Sequence, residues 1–296
     1  MKKMHKNELE IDEVLVRRLL AKQCAQWADL ALVRILSSGT DHALFRLGDS
    51  YIIRLPRIHW AVSGIDKEYK WLSRLAANLS IAISVPIFKG MPDEGYPWPW
   101  VISYYHQGHP PEFEKTNEYH NLAVELAVFL NQLHLIPIVE NAPKSRRGVS
   151  LSHLYTDTKE GINNLGQTFN IKKLMHLWEE FCQLPTWGKE PLWVHGDFLP
   201  GNIIIENQSL SAVIDFSDVG IGDPACDLVI AWSLLNLESR NTFRESLNDI
   251  DDFTWQRGKG WALSIAAIMY PYYKNTNPVL ASLSYRILNE ISTALG

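Results

Sequence analysis

Cysteine, long apolar runs, internal repeats and clustered positive charge are all scarce in this chain, and each shortage removes a class of protein. The three cysteines, Cys24, Cys182 and Cys226, are scattered among helix-like segments without metal-ligand spacing. An odd, dispersed set excludes a disulfide framework and reads as reduced thiols. The longest apolar stretch, near residues 261–273, falls short of the roughly 20 residues that span a bilayer. Asp12, Glu13, Arg17 and Arg18 interrupt the apolar residues of 11–20, so no secretory signal is expected and the expected compartment is the cytoplasm. The basic run in residues 141–148, Asn-Ala-Pro-Lys-Ser-Arg-Arg-Gly, is expected to be a solvated loop. Neither nucleic acid nor a membrane is therefore an expected partner.

What is present is a set of oxygen-bearing side chains at the ends of apolar runs. Leu192-Trp-Val194 reads as a short buried strand, and Pro200-Gly201 forces a turn that can return Asn202 to the side of Asp197. Ile203-Ile-Ile205 and Ala212-Val-Ile214 read as a hairpin joined by Glu206-Asn-Gln-Ser209, so Asp215 emerges at the end of its second strand. Phosphoryl transfer needs a carboxylate to orient the acceptor hydroxyl and oxygen ligands to hold magnesium against nucleotide phosphates. Asp197 supplies the first; Asn202 and Asp215 supply the second.

The pattern His195-Gly-Asp197 with Asn202, then Ile214-Asp-Phe-Ser217, resembles the aminoglycoside phosphotransferase family, which includes macrolide phosphotransferases and is distantly similar to choline and protein kinases. The resemblance continues in Gly222-Asp-Pro-Ala-Cys-Asp-Leu228 and, upstream, in Leu130-Asn-Gln-Leu-His134. It implies an α+β, two-lobed protein-kinase-like fold: a small antiparallel-sheet lobe over residues 1–105 that binds nucleotide, and a mostly helical lobe over 106–296 that carries catalysis and substrate. The length of 296 residues suits two lobes around one cleft better than a single core. The resemblance also implies Mg2+ and ATP or GTP, and an antibiotic of aminoglycoside or macrolide type as acceptor. A metabolic kinase of choline, homoserine or an amino sugar is the neighbouring alternative, and a nucleotide-binding pseudokinase the more distant one. The assembly is expected to be a monomer or homodimer.

Residues 32–36, 43–48 and 51–55 read as three strands of a meander, the last two joined by Gly48-Asp49-Ser50. Between the first two lies Ser37-Ser-Gly-Thr-Asp41, whose Ser38, Gly39 and Thr40 are candidates to cradle phosphates. Where kinases carry a lysine on the third strand, this chain has Arg54, with Glu68 on the following helix as its partner. Arginine keeps the charge but is longer, planar and forked. The prolines of Tyr96-Pro-Trp-Pro-Trp100 leave 100–105 as an edge strand leading to the hinge, where Ser103 and Tyr105 are candidates for the purine edge.

Around the motif, His195 is a catalytic candidate, with bracing of the loop as its expected role. Asp223-Pro224 reads as a helix cap. Asp227, one turn further, is expected to bond the loop's backbone. It also stands with Asp218 and Asp251 as a candidate substrate contact, as do Glu238 and the rest of 249–252. Residues 190–296 hold 6 Lys and Arg against 13 Asp and Glu, a balance of −7 that favours a cationic small-molecule acceptor. Helices are expected over 11–30, 66–75, 117–135, 172–183, 223–237, 253–273 and 278–295, with Val14, Leu15, Leu19 and Leu20 of the first facing inward.

Overall fold

The computed structural model describes residues 8–36, 39, 41–112 and 119–293. The amino-terminal half contains α1 (Glu13–Gln23), β1 (Leu32–Ile35), β2 (His42–Leu47), β3 (Tyr51–Pro56), α2 (Val62–Ala76), β4 (Ala82–Ile83), β5 (Pro86–Gly90) and β6 (Trp100–Tyr104). Strand order is β1-β2-β3-β6-β5, with every pair antiparallel. Phe45, Leu47, Ile53, Leu55, Trp100 and Ile102 alternate along these strands to fill one core, which α1 covers with Val16, Leu19 and Leu20.

Two expectations for this half are corrected. The first helix ends at Gln23, and Val14 is 61% exposed because the buried stripe runs through Val16 instead. β6 is an internal strand, because β5, unread in the sequence, pairs along its far side. The prolines that suggested an edge all precede Trp100 and leave the strand's own N–H groups intact.

The carboxyl-terminal half contains α3 (His120–His134), α4 (Tyr155–Asn163), α5 (Ile171–Cys182), β7 (Leu192–Val194), β8 (Ile203–Glu206), β9 (Ser209–Val213), β10 (Gly220–Gly222), α6 (Ile230–Ser233), α7 (Leu237–Ser246), α8 (Asp252–Tyr273) and α9 (Pro278–Thr293). α5 shows why these segments are helical: Asn170 caps its first turn by accepting from Lys173 N at 3.0 Å. Leu174, Leu177, Trp178 and Phe181 then fall on one buried face, each contributing about 1.5–3 kcal/mol. The single helix expected over 223–237 is instead a 3-10 run over Pro224–Val229 followed by the short α6. α4 and α7 carry too little apolar patterning to have been read.

β8 and β9 form the expected hairpin, turning through Asn207 and Gln208, both at positive φ. β4 adds to β9 in parallel, and Trp71, Leu72, Leu75 and Ile83 join the core of the second half. The helix carrying Glu68 is thereby packed against the segment carrying Asp215. No helix among the described residues is long and apolar enough to cross a membrane.

Candidate active site

The loop after β7 is held by its backbone. β7 pairs with β10, so residues 195–197 leave the strand beside Asp218. Gly196 sits at φ +83°, and a Cβ there would approach Asp218 O to 2.6 Å, so the close passage requires glycine. The amides of His195 and Gly196 donate to the two oxygens of Asp227 at 2.7 and 2.8 Å. Burial pushes the Asp227 carboxyl up, while His195 and the two amides pull the other way.

His195 is fully buried, and both ring nitrogens are engaged. Asp197 N donates to Nδ1 at 3.1 Å, which leaves the proton on Nε2 to be donated to Ile214 O at 3.0 Å. The ring is thus a strut between the loop and the end of the hairpin. This geometry fits the bracing role expected of His195 and leaves neither ring nitrogen free to take a proton from a substrate.

Asp197 and Asn202 are brought together by the turn at Pro200–Asn202. Asn202 Nδ2 donates to Asp197 O at 2.8 Å and to Asp197 Oδ2 at 3.0 Å, and Ile214 N donates to Asn202 O at 2.9 Å. The hairpin end and the loop are therefore one unit. Asp215 follows at φ +60°, a left-handed conformation that aspartate tolerates better than most residues. Its Oδ1 is buried without a hydrogen bond, 4.0 Å from Arg54 Nη1. Burial raises the Asp215 carboxyl, but Arg54, His42 and a Ser217 hydrogen bond outweigh it, so the group lies below the usual carboxylate range. Burial pushes Asp197 above it, with Arg147 opposing and Asp215 adding to the rise.

An unpartnered carboxylate oxygen and an amide oxygen whose nitrogen is already directed elsewhere are donors that suit magnesium, which takes one or two carboxylates and completes its shell with water and phosphate oxygens. Among the described residues no group of three or more His, Cys, Asp or Glu could hold a metal alone. Asp215 with the Asn202 carbonyl is the donor set available.

From the other half, Arg54 Nη2 donates to Glu68 Oε2 within a pair that is nearly inaccessible to water. Burial pushes Glu68 up and Arg54 pulls it down. The geometry of α2 toward Asp215 depends on Gly64, where a Cβ would meet Ser217 Cβ at 2.6 Å.

Of the other nucleotide candidates, Ser38 and Thr40 lie outside the described residues, and Gly39 is exposed. Ser103 is buried and paired on both sides, with Ile52 and Pro86. Tyr105 N donates to Ser50 O at 2.8 Å, and its ring lies under Arg46.

The expected substrate contacts fare differently. Asp227 is fully buried against backbone amides and cannot meet a substrate. Asp251 caps α8 with Oδ1, which accepts from Thr254 N and Oγ1, both at 2.7 Å, and the residue is exposed. Glu238 lies in the first turn of α7 behind its capping box. Asp223 caps as expected, and also takes Arg257 Nε at 2.7 Å. Asp218 does lie beside the loop, with its carboxylate facing Arg146 Nε at 2.6 Å and Arg147 Nε at 3.7 Å.

Arg147 was missed. The run expected to be solvated places Arg147 Nη1 2.5 Å from Asp197 Oδ1. Nothing in the local sequence signals this, because the contact joins residues 50 positions apart.

An antiparallel sheet beside a mostly helical half, with Asp197, Asn202 and Asp215 where the two meet, is the architecture of kinase-like phosphotransferases. The chain belongs to the phosphotransferase enzyme family: the family model APH matches residues 32–261. It is similar to an aminoglycoside 3'-phosphotransferase of Escherichia coli, 30% identical over 118 residues, which are 39% of this chain and 44% of that relative. The match thus spans less than half the length of that relative. Among solved structures it resembles the GDP complex of aminoglycoside 2'-phosphotransferase-IIIa, with a TM-score of 0.76 at 17% identity over 96% of this chain and 99% of the other. It also resembles macrolide 2'-phosphotransferase MphH from Brachybacterium faecium, with a TM-score of 0.57 at 18% identity over 94% and 98% of the two chains. At such identities the likeness is one of fold.

Proposed function

We propose that this protein transfers the γ-phosphoryl group of ATP or GTP to a hydroxyl of a small molecule, an antibiotic of aminoglycoside or macrolide type, in the cytoplasm. The observation that carries the reading is the single unit formed by Asp197, Asn202 and the end of the hairpin, with the unpartnered Asp215 Oδ1 facing Arg54 at 4.0 Å. Asp197 orients the acceptor oxygen and receives its proton. A loose transition state asks for alignment more than for a strong base. Arg54, steadied by Glu68, holds the nucleotide phosphates. Asn202 and Asp215 would hold magnesium, which supplies positive charge to the phosphate oxygens when bound. Solved neighbours described as complexes with GDP and kanamycin, and with streptomycin and ATP, support both a purine nucleotide and an antibiotic acceptor.

A second reading concerns the acceptor's charge. Asp223 and Asp227 are buried and engaged internally, and Asp218 and Asp197 face Arg146 and Arg147. This pairing favours an acceptor with few positive charges over a polyamine. The test is a screen of aminoglycosides, macrolides and amino alcohols for phosphate transfer, with ATP and GTP in parallel. Asp197→Ala should abolish turnover while nucleotide affinity persists. Transfer at the parental rate by that variant would refute the assignment.

A further inference from the structure

We propose that Arg147 is a positioning residue for the catalytic carboxylate, delivered into the site by a loop built for that purpose; the inference rests on the reading of Asp197 given above. The loop over residues 143–148 is stitched to 218–223 at several points. Ser145 N donates to Ile221 O at 3.1 Å, Ile221 N to Pro143 O at 2.7 Å, and Asp223 N to Gly148 O at 3.0 Å. Ser145 Oγ donates to Asp218 O at 3.0 Å and accepts from the amides of Arg147 and Gly148. Gly148 and Gly222 pass so closely that a Cβ on Gly148 would come 2.7 Å from Gly222 Cα. A solvated surface loop has no need of such a seam.

The seam fixes where the guanidinium ends. Arg147 reaches Asp197 Oδ1 with Nη1 at 2.5 Å and faces Asp218 Oδ2 with Nε at 3.7 Å, while Arg146 takes the other oxygen of Asp218. Asn202 already donates to Asp197 Oδ2, so the carboxylate is gripped on both oxygens and its plane is set. Each oxygen retains a second lone pair for an acceptor hydroxyl. The loop of Asp197 itself, Asp-Phe-Leu-Pro-Gly-Asn, contains no cation. Arg147 therefore supplies the positive charge that touches the carboxylate, among the described residues. Arg54 serves the nucleotide from the opposite side and does not pair with Asp197. Orientation through Asp197 predicts a loss in the chemical step and not in nucleotide binding.

The test compares Arg147→Ala, Arg147→Gln and Arg147→Lys in the full chain. Magnesium-dependent hydrolysis of ATP and GTP, with water as acceptor, and phosphorylation of erythromycin, a macrolide with a single amine, are the two assays. For Arg147→Ala, kcat should fall roughly 100-fold, the cost of a carboxylate misplaced by about an ångström, with the nucleotide KM unchanged. Lysine should recover part of the loss, glutamine less, and free guanidinium added to Arg147→Ala should raise its kcat. A normal kcat in Arg147→Ala would overturn the proposal. So would a kcat loss accompanied by an equal rise in nucleotide KM and no rescue, since that is the mark of a purely structural residue. If the parental protein neither hydrolyses nucleotide nor phosphorylates any compound in the screen, the phosphotransferase reading fails separately. The Arg147–Asp197 pairing is then decided by a double-mutant cycle in unfolding stability with Asp197→Asn. Non-additive losses uphold the pairing, and additive ones overturn it.

Discussion

Arg54 Nη1 lies 4.0 Å from Asp215 Oδ1, joining the third strand of the sheet to the end of the β8–β9 hairpin. Glu68 holds the other terminal nitrogen of the same guanidinium. The fork thus spans two carboxylates, which an ammonium point charge does with poorer geometry. Arg54→Ala should raise the nucleotide KM by about 30-fold, the equivalent of about 2 kcal/mol for a charge-assisted hydrogen bond. Arg54→Lys should fall between the two in steady-state kinetics. A variant in which alanine leaves KM unaltered would remove Arg54 from the nucleotide site.

Asp227 holds two successive amides of the catalytic loop, and burial opposes its charge. Asn in its place keeps one acceptor and introduces a donor facing an N–H. The expected cost is about 1–3 kcal/mol of stability, read from urea unfolding, with a lower kcat because residues 195–197 lose their anchor. Equal stability and rate in Asp227→Asn would contradict the bracing role.

Gly64 offers a case in which two effects compete. Alanine in a helix interior is worth about 1 kcal/mol over glycine, but here its Cβ would meet Ser217 Cβ at 2.6 Å and Ser217 Cα at 3.0 Å. Overpacking costs about 1–3 kcal/mol, so Gly64→Ala should be destabilising in thermal melts. It should also raise the nucleotide KM, because α2 carries Glu68 one turn further along.

His42 is buried with Nε2 unpartnered, and burial together with Arg54 lowers its pKa to about 4. The folded state therefore stays neutral at pH values where the unfolded chain takes up a proton. Stability from this residue is complete above about pH 6.5 and is lost as the pH falls toward 4. Between about pH 7 and about pH 5 the parental protein should lose about 2 kcal/mol more than His42→Leu does. Urea titrations of both proteins at the two pH values measure the difference, which cancels shared contributions such as that of Glu68. Parallel losses would show that His42 is protonated in the fold.

The loop from Asp197 to Asn202 was legible because its signals are local. Pro200-Gly201 turns the chain within six residues, and the apolar triplets on either side can only be short buried strands. The meander of β1, β2 and β3 was legible for the same reason, being alternating strands joined by close turns. β5 was not, since Pro86-Ile-Phe-Lys-Gly90 has no clear alternation, and its absence made β6 look like an edge. The acidic balance of the carboxyl-terminal half is a sum over the sequence and does not say which carboxylates face a cleft. Whether a carboxylate faces a cleft, caps a helix or meets an arginine depends on partners distant in sequence. Asp251 and Asp223 show two of those fates.

By itself the sequence determined the identity and order of the groups proposed to handle phosphate and proton, Asp197, Asn202 and Asp215, because turn residues and strand lengths act over a few positions. Tertiary structure alone decided other contacts around them: Arg147 on Asp197 and Gly64 against Ser217. These are contacts between segments from 50 to more than 100 residues apart in the chain. Such contacts form only when packing of the whole core brings the segments together, and no local propensity encodes them.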